Sequence, residues 1–261
     1  MINTMKFQYF SDIHTEEYKS NHKKLKKIQE LIVPVAPNLI IAGDIGDPYS
    51  TLYRDFLSYL SPMYEHIFIV AGNHEYYGHG DMEEVQEEIR RFTESLGNVS
   101  FLENDLVNIP DTNLTIYGAT FWSDIYETEK DDIKNCIGDY KYIPDFTIEK
   151  AKHLHKTTCD KLNLALNIFS NRNFVVISHH LPSYSLLHKK YMDVKPSLSS
   201  AYASNIPVAY NPRILAWVAG HSHTPCEQGK FHLNPFGYKG ENLKYNFNKT
   251  FEVEIYVNKQ V

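Results

Sequence analysis

Five short apolar runs in this chain each break off at an aspartate, asparagine or histidine, and that repetition limits the folds open to it. Lys6-Phe7-Gln8-Tyr9-Phe10 leads into Ser11-Asp12-Ile13-His14, and Leu39-Ile40-Ile41-Ala42 into Gly43-Asp44. Ile67-Phe68-Ile69-Val70-Ala71 meets Gly72-Asn73-His74-Glu75, and Phe174-Val175-Val176-Ile177 meets Ser178-His179-His180. Leu215-Ala216-Trp217-Val218-Ala219 meets Gly220-His221-Ser222-His223. Apolar runs of this length read as buried strands. In open α/β sheets ligands gather at the carboxyl ends of such strands, which is where each run delivers a metal-ligating type of side chain.

The intervening segments supply crossovers. Ser20 opens a helical pattern with Leu25, Ile28, Leu31 and Ile32 on one face, Lys23, Lys24, Lys26 and Lys27 on the other, and Pro34 at its end. The lysine face reads as solvated surface rather than a nucleic-acid contact. A second helix is expected over 51–60. A third follows Asp81, paired with Glu84 as a cap; Val85, Ile89, Phe92 and Leu96 form its stripe and Gly97 stops it. The order β-α-β-α-β specifies a mostly parallel sheet.

Short strands are expected at 99–101 and 114–117, then an irregular, tyrosine-rich insertion over 123–146. A long helix follows from Ile148 to Phe169, with Ala151, Leu154, Leu162 and Leu166 on its apolar stripe. Residues 181–213 are aperiodic and are expected over the mouth of a site. Lys230–Leu233 and Thr250–Val257 alternate like antiparallel strands. With no repeat or linker, one domain over 1–261 is expected.

The 43% hydrophobic and 22% charged residues are those of a soluble globular protein. A net charge of -6 gives no broad basic surface, so duplex nucleic acid is not an expected partner, while a small phosphorylated substrate is. Cys136, Cys159 and Cys226 lack C-x-x-C spacing, which points to a reducing compartment. The amino terminus has no signal-peptide layout, and no apolar run approaches the roughly 18 residues needed to span a bilayer. A cytoplasmic protein without a membrane partner is expected.

Asp12-x-His14 and His221-x-His223 have a spacing of two, which on extended backbone puts each pair on one side. Asp44 has two carboxylate oxygens and can bridge two cations; Asn73 offers an amide oxygen and His179 a ring nitrogen. Together Asp12, His14, Asp44, Asn73, His179, His221 and His223 suit two divalent ions of the Mn, Fe, Co or Zn kind. Such ions bring four positive charges, and two aspartates with a bridging hydroxide remove three, so an anionic phosphate is a natural guest. Two ions about 3.5–4 Å apart lower the pKa of a shared water and hold phosphate oxygens during in-line attack. No G-x-S-x-G, Walker A or G-x-G-x-x-G motif offers another chemistry.

The set Asp12-x-His14, Gly43-Asp44, Gly72-Asn73-His74-Glu75, His179 and Gly220-His221-x-His223 resembles the calcineurin-like metallophosphoesterase family, all five blocks in order over residues 12 to 223. Gly118-x-x-Phe121-Trp122, His179-His180-Leu181-Pro182-Ser183 and Asn234-Pro235-x-Gly237-Tyr238 resemble a small bacterial-type branch of single-domain members. The resemblance implies an α/β fold, a four-layer α-β-β-α sandwich of two mixed sheets flanked by helices. It implies one ion on Asp12, His14, Asp44 and His223, and another on Asp44, Asn73, His179 and His221, drawn from Mn, Fe, Zn, Co or Ni. It implies a phosphoesterase cleaving a mono- or diester, nucleotides among the candidates, with His74 as general acid and Asn73 and His74 on the substrate. The rivals are a non-catalytic metal-binding scaffold, against which the intact ligand set argues, and a nuclease, which calls for a basic groove.

Several residues carry plainer expectations. His188, after Pro182, is a further substrate-contact candidate, with solvent exposure as the plainer role. His180 packs beside or supports His179. His153 and His155 are expected on the surface of the long helix. Tyr184, Tyr191 and Tyr202 can stack on a base or sugar. Asp47 either supports the site or turns the chain before Pro48, the turn being expected. Asp139-Tyr140 resembles a recurrent acidic-aromatic pair of that branch, without a role readable from sequence.

Overall fold

The structure, a computed structural model, describes residues 1–19, 22–194, 196–242 and 245–257. Among the described residues there are eleven strands and seven α-helices, the strands being β1 Ile2–Phe10, β2 Asn38–Ala42, β3 His66–Val70, β4 Val99–Phe101, β5 Asp105–Asn108, β6 Leu114–Gly118, β7 Asn173–Ile177, β8 Ile214–Ala219, β9 Cys226–Gln228, β10 Phe231–Leu233 and β11 Thr250–Tyr256. The helices that join them are α1 His22–Leu31, α2 Thr51–Leu60, α3 Met82–Leu96, α4 Lys130–Cys136, α5 Asp139–Tyr142, α6 Ile148–Ile168 and α7 Lys189–Val194.

The strands form two mixed sheets. The first has the order β11-β1-β2-β3-β4, with β11 antiparallel to β1 and the rest parallel. The second has the order β5-β6-β7-β8-β10-β9, parallel through β6, β7, β8 and β10, with β5 and β9 antiparallel at the edges. Period-two alternation sends the two faces of each strand to different layers. Phe7, Tyr9, Ile40, Ala42, Phe68 and Val70 pack between the sheets with Ile116, Val175, Ile177 and Val218. Phe10, Ile41 and Ile69 face the other way, onto Leu25, Phe56 and Ile89 of the helices. On the far side, Val176 and Trp217 pack against Leu162 and Leu166 of α6. The result is helix, sheet, sheet, helix. Parallel strands buried on both faces explain why the sequence runs were apolar almost throughout.

Local signals act where the physics places them. Ser50 caps α2 by accepting from the Tyr53 amide, Asp81 caps α3 by accepting from the Glu83 amide, and Gly97 ends α3 at φ 79°. Ser20 lies outside the described residues, and α1 begins at His22. Leu31, expected on its buried face, is 63% exposed, and Ile32 beyond the helix end is buried instead.

Four expectations change. The 123–146 insertion carries α4 and α5, and 181–213 carries α7 with 3-10 turns at Tyr184–Leu186, Pro196–Ala201 and Pro207–Tyr210. These elements are too short to show a helical period. The edge strands β5 and β9 have only four and three residues, too few for alternation to register. The β10 strand runs parallel to β8 and antiparallel only to β9. His155 is half-buried rather than exposed. Its Nδ1–H donates to the Trp122 carbonyl at 2.8 Å, and burial lowers its pKa, whereas His153 is exposed.

Candidate metal centre

The turns after β1, β2, β3, β7 and β8 converge between the sheet ends. Asp12, His14, Asp44, His221 and His223 all have left-handed backbone, with φ of 58°, 50°, 52°, 66° and 47°. Their pairing therefore does not come from an extended strand. L-residues adopt this region rarely, and it concentrates where surrounding structure over-determines a functional turn. Backbone bonds hold the turns together: Asp12 N donates to the Gly43 carbonyl at 3.0 Å, His14 N to Asp44 at 3.0 Å, and Gly220 N to His179 at 3.0 Å. Close approach requires glycine at two places. A Cβ on Gly72 would lie 2.2 Å from Asp44 Oδ1, and one on Gly220 2.7 Å from Asp12 Oδ2.

Three groups of donor atoms result among the described residues. Asp12, His14, Asp44 and His223 form the first, Asp44, His179 and His221 the second, and His14, Glu16 and His74 the third, each with its atoms within 4.8 Å of one another. Asp44 belongs to the first two. Its Oδ2 is 3.3 Å from His179 Nε2 and 3.7 Å from His14 Nε2, while Oδ1 accepts the His74 amide at 2.9 Å. Asn73 Oδ1 joins the second group, 3.1 Å from His179 Nε2. His14 and His223 turn their Nε2 atoms toward each other at 3.1 Å, and Asp12 Oδ1 lies 3.3 Å from His223 Nε2.

Partners behind these side chains fix which atom faces inward. His179 Nδ1–H donates to the Ala42 carbonyl at 2.8 Å, His14 Nδ1–H to Glu16 Oε1 at 3.1 Å, and His223 Nδ1–H to Glu241 Oε2 at 2.6 Å. In each ring Nε2 is left for the centre, the arrangement of metal-ligating histidines. Asn73 is oriented in the same way. Its amide N–H donates to Asp139 Oδ1 at 2.7 Å and to the Tyr77 hydroxyl at 3.0 Å, turning Oδ1 inward. Asp139 thus has the role the sequence did not supply. Glu75, fully buried, accepts the amides of Gly72, Asp44, Ile45 and Gly46, tying two of the turns together.

Carboxylates and imidazoles shift one another strongly across this site. Burial favours the neutral forms, yet the neighbouring histidines hold Asp44 well below and Asp12 below the usual carboxylate range. Burial would lower His179, but the Asp44 charge beside it raises it to about 10. Burial, then the adjacent His180 and His179, hold His221 well below the ordinary imidazole value. Its Nε2 is buried without a hydrogen-bond partner. A neutral ring with an unpartnered buried nitrogen has the form a metal ligand requires, so the donor set fits a divalent metal. No thiolate is present in any of these groups, which suits ions that accept mixed N and O donors.

His74 sits outside the two groups that share Asp44 and clusters instead with His14 and Glu16, at the start of a 3-10 turn over His74–Tyr76. Its Nδ1–H donates to Glu16 Oε1 at 2.9 Å, and its ring stacks on Tyr77 at 4.3 Å. Burial would lower its pKa, but the Asp44 and Glu16 carboxylates raise it to about 9. A cavity of about 220 Å³ opens beside it, with Tyr191, Tyr202, Tyr238, His221 and His223 in its walls. Tyr191 is fixed by donating its hydroxyl to the Ser222 carbonyl at 2.7 Å.

His188 is exposed at the start of α7, and its Nδ1 accepts the Lys190 amide, whereas Tyr191 reaches the cavity. Tyr184 packs on Tyr126 instead. His180 is a buried packing ring, 4.1 Å from His221 and 5.2 Å from Trp122, held neutral by burial and His179 at a pKa of about 3. Asp47 turns the chain, accepting the Tyr49 amide at 3.1 Å. Sequence reasoning missed Glu16 and Glu241, and named Tyr238 only within the Asn234-Pro235-x-Gly237-Tyr238 motif, without a role. Glu16 carried one signal, lying two residues beyond His14; Glu241 carried none.

The comparisons agree with this geometry. The model for calcineurin-like phosphoesterases matches residues 5–225. An uncharacterised protein of Acanthamoeba polyphaga mimivirus is 26% identical over 275 residues, covering 95% of this chain and 96% of its own length. The structure of the phosphopantetheinyl hydrolase from Mycobacterium tuberculosis superposes with a TM-score of 0.71 at 17% identity, over 95% of each chain. A putative 5′-nucleotidase from Staphylococcus aureus, in complex with alpha-ketoglutarate, gives 0.51 at 14% identity, over 97% of this chain and 51% of its own. No helix among the described residues is long and apolar enough to cross a membrane. With the family model spanning most of the chain and the strand-end donors gathered at one point, the chain belongs to the calcineurin-like phosphoesterase family.

Proposed function

We propose that the chain is a binuclear metal-dependent hydrolase of phosphate esters, acting as one domain over residues 1–261. The observation that carries this reading is Asp44, shared by two donor groups, one of which includes the orphaned His221 Nε2. Asp12, His14, Asp44 and His223 would hold one ion, and Asp44, Asn73, His179 and His221 the other. Bound there, divalent ions supply Lewis acidity, lower the pKa of water and offset phosphate charge. The remaining work falls to the chain. Glu16 fixes His74 Nδ1, so Nε2 faces the cavity and is left to supply the proton that the departing oxygen needs. Asn73 and His74 meet the phosphate, and the tyrosine-walled cavity receives the organic part of the substrate.

The test is to strip the protein, titrate in Mn²⁺, Co²⁺, Ni²⁺ or Zn²⁺, and follow both ion stoichiometry and turnover. The panel contains aryl and alkyl monoesters and diesters, with nucleotides and a phosphopantetheinyl diester, since proteins of similar fold include a phosphopantetheinyl hydrolase and a putative 5′-nucleotidase. Two ions per chain with metal-dependent turnover are expected. Full occupancy without turnover on any ester would favour the scaffold.

A further inference from the structure

His74 has one nitrogen committed to Glu16, and the other is also occupied. Tyr238 places its hydroxyl oxygen 3.1 Å from His74 Nε2. The nitrogen that faces the cavity therefore already touches a phenol. This contact rests on fixed backbone. Phe236 N donates to the Ser11 carbonyl at 2.9 Å, Gly237 N to Asp12 at 3.0 Å, and Tyr238 N to Glu241 Oε2 at 2.9 Å. Those bonds tie the Tyr238 turn to the segment that carries Asp12 and to the carboxylate behind His223. The ring lies over the centre, 4.6 Å from both His14 and His223, and lines the cavity beside His74.

A leaving-group oxygen that takes a proton from Nε2 directly needs a place about 3 Å away, and the Tyr238 hydroxyl stands there. We propose that Tyr238 is a catalytic residue that hands the His74 proton to the leaving group, on the reading that the site hydrolyses phosphate esters. As the P–O bond to the leaving group breaks, its electron pair stays on the departing oxygen, which takes the phenolic proton. The Tyr238 oxygen recovers a proton from His74 Nε2. Water supplies the new P–O bond, and the proton it sheds restores His74. The chain Glu16, His74, Tyr238 ends at substrate rather than at the imidazole.

The test uses full-length, metal-loaded protein as wild type, Tyr238→Phe, His74→Gln and the double variant. Phenylalanine keeps the ring over His14 and His223 and removes only the hydroxyl, and metal content checks that. On an alkyl diester Tyr238→Phe should lose about 10²-fold, the worth of a positioned proton donor, but only a few-fold on a nitrophenyl diester. The double variant should be no slower than His74→Gln, because both residues serve one transfer. A Tyr238→Phe rate near wild type on the alkyl diester, or multiplicative losses in the double variant, would overturn the relay. A second measurement needs no turnover: the His74 Nε2 resonance in a nitrogen-15 histidine spectrum should move in Tyr238→Phe, and an unmoved signal overturns the contact. A fully loaded wild type inactive on every ester overturns the phosphoesterase reading and the relay together; an active wild type with an unimpaired Tyr238→Phe overturns the relay alone.

Discussion

Glu16 Oε1 accepts the Nδ1–H of His74 at 2.9 Å, and the same oxygen accepts the Nδ1–H of His14 at 3.1 Å. One carboxylate thus orients a candidate ligand and the candidate general acid together. Burial would raise its pKa, but the two imidazoles bring it down to about 2. Glu16→Gln removes the charge and keeps the shape. Such outer partners are typically worth 10–100-fold, so metal affinity should fall by about 10-fold or more, and turnover of alkyl esters further than that of aryl esters. Equal losses on both ester types at saturating metal would confine Glu16 to supporting His14.

Asp139→Ala should act on one donor group only. It frees the Asn73 amide, whose Oδ1 is turned inward by the 2.7 Å bond to Asp139. Stepwise metal titration should show one ion weakened by about 10–100-fold and the other near wild type. If both weaken alike, Asn73 does not belong to a single group.

The sandwich and the donor residues were legible because both depend on long-range repetition. Buried parallel strands cannot alternate, so β2, β3, β7 and β8 appear in sequence as apolar runs, each leading into a candidate ligand. The outer partners were not legible, because nothing in sequence spacing couples Glu241 to His223 or Asp139 to Asn73; the link is made by folding across 18 and 66 residues. Asp12 and His14 were placed on one side for the wrong reason. Their convergence comes from two left-handed residues around Ile13, a conformation no period reveals. His155 misled because a polar residue on a helix reads as exposed until a carbonyl partner such as Trp122 is known.

His155 gives a pH prediction away from the metal centre. Burial lowers its pKa in the folded chain, against the pull of its bond to the Trp122 carbonyl. A histidine depressed on folding binds fewer protons in the native state, so stability falls as pH drops through and below the unfolded value near 6.5. His155→Gln deletes that contribution. The variant should be less stable at about pH 7, and its deficit in urea midpoint should narrow toward about pH 5. Parallel curves across that range would show that His155 takes its proton as readily in the folded protein.

The sharpest test of the centre compares Asp44→Asn with Asn73→Ala. Among the described residues Asp44 is the only carboxylate common to two donor groups, and its Oδ2 is the atom near both His14 and His179. Asparagine keeps the Oδ1 contact to the His74 amide but removes the negative charge that helps hold two cations. Asp44→Asn should therefore lose both ions together, retaining less than about one per chain, with turnover near background. Asn73→Ala removes one neutral oxygen from one group, so the Asp12–His14–His223 side should keep its ion and the protein should turn over slowly. Elemental analysis after desalting, paired with an aryl ester assay, reads both. Two tightly held ions in Asp44→Asn would end the bridging role, and equal loss of both ions in Asn73→Ala would redraw the partition.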